Sequence, residues 1–169
     1  MFGDLKRSRI ITLSAAFIAL IALGSWVSIP FFPVPLTLQT LFVLLAGAVM
    51  RRYAVIPVTL YILLGALGLP LFHNGIAGFG ILLGPTGGYL IGFIPAALIV
   101  GLAYESKAAE VHIIGLIMAT LFIYACGISW LMYSTGMGLA AALAMGMLPF
   151  LLGDVIKASA AYMIAQRLP

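Results

Sequence analysis

This 169-residue chain has little charge: only 7% of its residues are Asp, Glu, Lys or Arg, against about 25% in an ordinary soluble domain. No water-facing surface can be covered with so few. Cysteine occurs once, at Cys126, which excludes an internal disulfide and any two-cysteine redox or zinc chemistry. That residue is expected in a helix as a small hydrophobe. Ten-residue segments alternating at period 2 are missing, so the chain is not a membrane barrel. Also missing are a GxSxG elbow, a Ser-His arrangement, paired carboxylates and the GxxxxGK[ST] phosphate loop. The GPTGG run at 84–88 has the glycines of such a loop but no lysine, so ATP hydrolysis is excluded. The net charge of +4 is too small and too dispersed for nucleic acid.

What is present is apolar: 64% of residues are hydrophobic, which implies an all-α integral membrane protein, read as a single domain over 1–169. Six runs between breakers approach the length of a bilayer core, at roughly 10–28, 36–50, 53–69, 86–104, 111–133 and 149–167. Pro33 and Pro35 hold the residues before the second run extended, and Arg51-Arg52 end it. Gly138 to Leu168 would make one helix of about 45 Å, longer than the membrane is thick, unless Pro149 occupies the first turn of a separate final helix. The N-terminal run resembles a signal peptide with Ala22-Leu23-Gly24 as a cleavage site, but its length and the spans that follow favour retention.

With the N-terminus in the cytoplasm, six spans put Lys6, Arg7, Arg9, Arg51, Arg52, Lys107 and Arg167 on that side, seven of the eight basic residues. The positive-inside rule makes this the expected topology, with both termini cytoplasmic. The same threading places His73 and His112 on opposite sides, so they form no metal site. The longest outer connection, LPLFHNGIAGFGILLGPTGG, is glycine-rich and almost uncharged. A segment so apolar is expected to cap the bundle.

Lys157 is the basic residue left over, and it shares a helix face with Asp154, three residues earlier. Counted from Pro149, the two lie about 8 and 12 Å below the outer end of the last helix. A charge near the bilayer centre costs about 2.5–3.5 kcal/mol or more, so such residues face a cavity. The competing reading is a self-neutralising ion pair with no other role. Taken as a ligand site, the pair offers an acceptor and a donor together. Gln39 and Thr37, Asn74, and Thr86 and Tyr89 are polar groups expected to converge on the same outer half. Asn74 is equally a turn residue before Gly75, and Tyr89 an interfacial anchor. Gly84, Gly88 and Gly92 recur at intervals of four, a close-packing pattern for Gly92; for Gly84, Gly87 and Gly88 a backbone approach to ligand is also open. Ala15, Ala19 and Ala22 give the first span a small-residue face.

Four strings in order, FPVPLTLQTLFVLLAG (32–47), GLPLF (68–72), GPTGGYLIGF (84–93) and LLGDVIKA (151–158), resemble the BioY family. Its members are the biotin-specific substrate-capture subunits of energy-coupling-factor transporters. The resemblance covers nearly the whole chain. It implies a six-helix bundle with cytoplasmic termini and a biotin pocket near the outer face. Asp154 and Lys157 would be polar contacts, Asn74 another, and Gly84–Tyr89 part of the wall. No cofactor is implied beyond biotin as cargo. The implied partners are a transmembrane coupling subunit, docked on Ala15, Ala19 and Ala22, and two ATPases. No arginine lies near the glycine-rich segment, so backbone N–H groups or Lys157 would have to receive the valerate carboxylate. Two other readings stay open at this point, a capture subunit for another vitamin and a stand-alone transporter with Asp154 as proton carrier. An intramembrane enzyme lacks any nucleophile-base pair.

Overall fold

The computed structural model describes residues 2–168, with side chains from Arg7 onward, so Lys6 lies outside the described side chains. The chain is mostly helical. In order it forms α1 (Phe2–Trp26), a two-residue strand pair β1 (Ser28–Ile29) and β2 (Leu36–Thr37), α2 (Gln39–Met50), a 3-10 turn (Arg51–Ala54) and α3 (Val55–Ala66). A second 3-10 turn (His73–Gly75) and α4 (Gly80–Leu83) precede α5 (Gly87–Ala103), α6 (Ala109–Thr135), α7 (Leu139–Gly146) and α8 (Leu151–Arg167).

Among the described residues, three helical stretches are long and apolar enough to cross a membrane: Arg7–Trp26, Gln39–Ala66 and Ala109–Thr135. The pair Leu139–Gly146 and Leu151–Arg167, bent by 52°, passes the same criterion together. The stretch from Gln39 to Ala66 is not straight. In a continuous helix residues 39 and 61 would stand about 33 Å apart, yet Gln39 Nε2 donates to Tyr61 Oη at 2.6 Å. The chain folds back at Arg51, whose φ of 55° and ψ of −138° are costly for a residue with a Cβ; such conformations cost about 1–3 kcal/mol. Gly101 of α5 receives this bend, since a Cβ there would lie 2.4 Å from the Arg51 carbonyl oxygen. Arg52 then reaches Glu105 through two parallel bonds, Nε to Oε1 at 2.6 Å and Nη2 to Oε2 at 2.7 Å. These bonds hold the Glu105 carboxyl below the usual carboxylate range.

Much of the outside of the bundle is apolar. On α6, Leu116, Ala119 and Ile123 are buried while Ile113, Ile117, Met118 and Leu121 are exposed. A helix apolar all round belongs in lipid. Glycines let α5 and α6 approach: a Cβ at Gly88 would stand 2.5 Å from the Cys126 carbonyl, and one at Gly115 2.3 Å from the Ala103 Cβ. Gly92 lies over Cys126 in the same seam.

The connection 67–86 is tied to α1 and α3. Phe72 is buried edge-on to Tyr61, with ring centroids 5.7 Å apart, over the gap left by Gly65. The carbonyls of Pro70 and Leu71 are taken up by Trp26 Nε1 at 3.1 Å and Tyr61 Oη at 2.9 Å. Two sequence expectations change here. Pro149 stands two residues before α8 rather than in its first turn, because the bend after α7 occupies residues 147–150. Ala22 is buried in the core, so of the three expected alanines only Ala15 and Ala19 face outward.

Candidate functional site

A cavity opens where the N-terminal ends of α2, α5 and α8 meet the middle of α6. Its polar lining is Thr37, Gln39, Thr40, His73, Thr86, Tyr89, Tyr124, Asp154 and Lys157, and Val34, Phe72, Leu90, Phe93, Ile123 and Phe150 supply the apolar walls. The room open to the centre of a water-sized sphere is about 60 Å³, several waters' worth. Burial in this cavity lowers the pKa of His73 below its ordinary value.

Asp154 sits in the first turn of α8, where the helix dipole favours a negative charge. The neighbouring charge is provided by the same helix: Lys157 Nζ donates to Asp154 Oδ1 at 2.8 Å, and each side chain is only 11% exposed. Two further elements close on the carboxylate. Thr40 Oγ1 of α2 approaches Oδ1 at 3.4 Å, and Tyr124 Oη of α6 donates to Oδ2 in a short bond. The carboxylate therefore has three of about four acceptor positions in use. Lys157 has two N–H donors with no partner among the described residues. The pair is thus bonded into the bundle and faces a hollow, with donors and one lone pair unspent.

Gln39 lines the cavity, and it is positioned by a relay from Gln39 Nε2 to Tyr61 Oη and from Tyr61 Oη to the Leu71 carbonyl. Its amide oxygen and second N–H have no partner among the described residues. Tyr89 also lines the cavity, but through its ring: it is buried, and its hydroxyl donates to the Gly146 carbonyl at 2.8 Å, bracing α7. It is not an interfacial anchor.

Four expected residues are placed elsewhere. Asn74 is exposed, adopts a left-handed turn at φ 55° and accepts from Ser28 Oγ at 3.0 Å, outside the cavity lining. Its turn role prevails because the sharp bend before Gly75 needs a residue that tolerates positive φ. Gly84, Gly87 and Gly88 do not line the cavity either. A Cβ at Gly87 would fall 1.8 Å from the Leu82 carbonyl oxygen, and Gly88 faces Trp130 and Cys126. The Gly84 carbonyl accepts from Trp130 Nε1 at 3.0 Å. These glycines admit protein backbone and an indole, and they seat the start of α5 against α6. Sequence reasoning in turn missed Thr40, Phe93 and Tyr124. Tyr124 had a visible signal, a hydroxyl amid an apolar span that must find a partner.

The chain can now be set beside known proteins. The BioY family profile matches residues 3–169. A biotin transporter BioY from Thermotoga maritima is 44% identical over 154 residues, 90% of each chain. A probable biotin transporter BioY from Pyrococcus horikoshii is 39% identical over 163 residues, 96% of this chain and 97% of its own. The crystal structure of an S-component for biotin from an ECF-type ABC transporter superposes with a TM-score of 0.87 at 28% identity, covering 97% of this chain and 92% of that one. Sequence likeness over nearly the whole length and the shared arrangement of helices agree: the chain belongs to the BioY family.

Proposed function

We propose that this chain is the biotin-capturing subunit of an energy-coupling-factor uptake transporter in the cell membrane, multi-pass, with six spans and both termini in the cytoplasm. Its relatives carry the names of biotin transporters, and the superposed structure is a biotin S-component. The observation that carries the reading is the Asp154–Lys157 pair, held at the wall of a cavity with ligand positions unspent. Biotin offers matching chemistry, two ureido N–H donors, a ureido carbonyl and a carboxylate. The free position on Asp154 accepts a ureido N–H, and the two free donors of Lys157 serve the ureido oxygen or the valerate carboxylate. Gln39 adds a donor and an acceptor opposite, while Phe72, Phe93 and Phe150 cover the rings. The cap at 67–86 lies over this pocket on the outer face, and seven of the eight basic residues lie on the inner one.

Binding requires no partner in this reading. The purified chain, incubated with labelled biotin, is expected to bind it saturably, and other vitamins in large excess should not displace it. Equal displacement by another vitamin would transfer the reading to that substrate. Uptake into vesicles by the chain alone, driven by a pH gradient, would instead support a secondary transporter with Asp154 as proton carrier.

ATP hydrolysis falls to two partner ATPases, joined through a transmembrane coupling subunit. Two exposed alanines of α1, Ala15 and Ala19, offer it a flat surface for close helix approach. Ala19→Leu is expected to leave biotin affinity unchanged and to lower co-purification of the coupling subunit by about tenfold, the loss that about 1.4 kcal/mol produces. An unaltered yield of the complex would remove Ala19 from the docking face.

A further inference from the structure

At the opposite end of α2 from the candidate biotin pocket lies a second, larger cavity, about 880 Å³ by the same measure. It has no part in holding Asp154 or Lys157. Arg9 of α1 and Arg51 and Arg52 of the hairpin turn line it together with Glu105 at the end of α5. Its apolar side includes Leu13 and Val49. Among the described residues three guanidiniums face one carboxylate, leaving two positive charges in excess. The excess is localised, because both oxygens of Glu105 are taken up by Arg52. Arg9 and Arg51 have no hydrogen-bond partner among the described residues.

Arg51 makes the arrangement notable for a second reason. It occupies a backbone conformation with φ of 55° that suits glycine, and its carbonyl is pressed against Gly101. The position would be less strained without a side chain, yet it carries an arginine that lines the cavity. Strain kept at a charged residue points to a use for the charge.

We infer that this cavity holds the phosphate of an anionic phospholipid headgroup, bound by Arg9 and Arg51, with the start of its acyl chains against Leu13 and Val49. The site lies at the ends of α2 and α5, where an apolar bundle meets water and headgroups lie. Guanidinium forks match phosphate oxygens, and basic groups there attract anionic lipid. A wholly soluble anion would gain nothing from the apolar side of the cavity.

The test is lipid retention by the detergent-purified chain, read by native mass spectrometry during titration with phosphatidylglycerol or with phosphatidylcholine of the same acyl length. Wild type is expected to prefer phosphatidylglycerol by about tenfold or more, an effect of the size two arginines produce near headgroups. Arg9→Gln, on the exposed face of α1, should remove part of that preference, and Arg9→Gln with Arg51→Gly nearly all of it. Arg51→Gly should melt no lower than wild type, because glycine accepts the bend. Biotin binding should be unchanged in each. The inference is overturned if wild type shows no preference, or if the double variant keeps it. It is also overturned if inorganic phosphate displaces the lipid at equal concentration, which assigns the site to a free anion. Loss of coupling-subunit assembly with lipid preference intact would assign the arginines to an acidic protein segment and overturn it as well.

Discussion

Asp154→Asn is expected to lower biotin affinity at least tenfold, and Asp154→Ala to lower both the affinity and the yield of folded protein. The two losses have different origins. In the wild type the carboxylate neutralises Lys157 at 2.8 Å and accepts from Thr40 and Tyr124. Asparagine keeps the shape but leaves the ammonium without a counter-charge, and it presents an NH2 where Lys157 or Tyr124 needs an acceptor. Alanine removes every partner, and stranding one member of a buried ion pair costs about 3–5 kcal/mol. Lys157→Met is gentler on folding, since Asp154 retains two hydroxyl donors and the helix N-terminus. It should still cost at least tenfold in affinity, because the donors aimed at the cavity are gone. The decisive variant is Asp154→Asn with Lys157→Met. Removing both charges relieves the stranded partner, so thermal stability should return toward wild type. If the pair serves only the fold, biotin binding would return with it. If the pair holds ligand, binding stays lost, and labelled-biotin titration beside a melting curve separates the cases.

The charged pair was legible in the sequence because a charge in an apolar span has few inexpensive places to go. The partners that fix it were not. Thr40 and Tyr124 belong to residue types that serve equally as interface anchors, packing or hydrogen-bond donors, and which of these applies depends on the rotation of α2 and α6 about their axes. The glycines show the same limit from the other side. Spacing at 84, 88 and 92 says that something approaches the backbone closely, and spacing cannot say what. At Gly88 it is Trp130 and the α6 backbone, and at Gly87 the Leu82 carbonyl. Arg51-Arg52 marked the end of α2 correctly, while the strained bend and its seat on Gly101 depend on a residue 50 positions away. Strands of two residues, Ser28–Ile29 against Leu36–Thr37, are too short to leave any periodic trace.

The α5–α6 seam carries the other large effect. Gly88→Val places a Cβ 2.2 Å from the Trp130 Cβ and 2.5 Å from the Cys126 carbonyl oxygen. The carbonyl belongs to helix backbone and cannot swing aside, so the helices must separate. Overpacking of this kind costs about 1–3 kcal/mol or more, a fall in melting temperature of about 2–12 °C. Gly127→Ala is the informative companion. Its Cβ would fall 2.3 Å from the ring of Tyr89, which lines the cavity and is tied to Gly146 through its hydroxyl. That ring has nowhere to go except toward the pocket, so this variant should lose biotin affinity more than its melting temperature alone explains. Gly153→Ala is the control. A Cβ there meets nothing within 4 Å, one residue from Asp154, and alanine favours the helix by up to about 1 kcal/mol. It should melt at or slightly above wild type. If Gly88→Val melted with it, α5 and α6 would not be in the contact that sets the floor beneath Tyr89, and the position of that ring in the binding site would have to be given up.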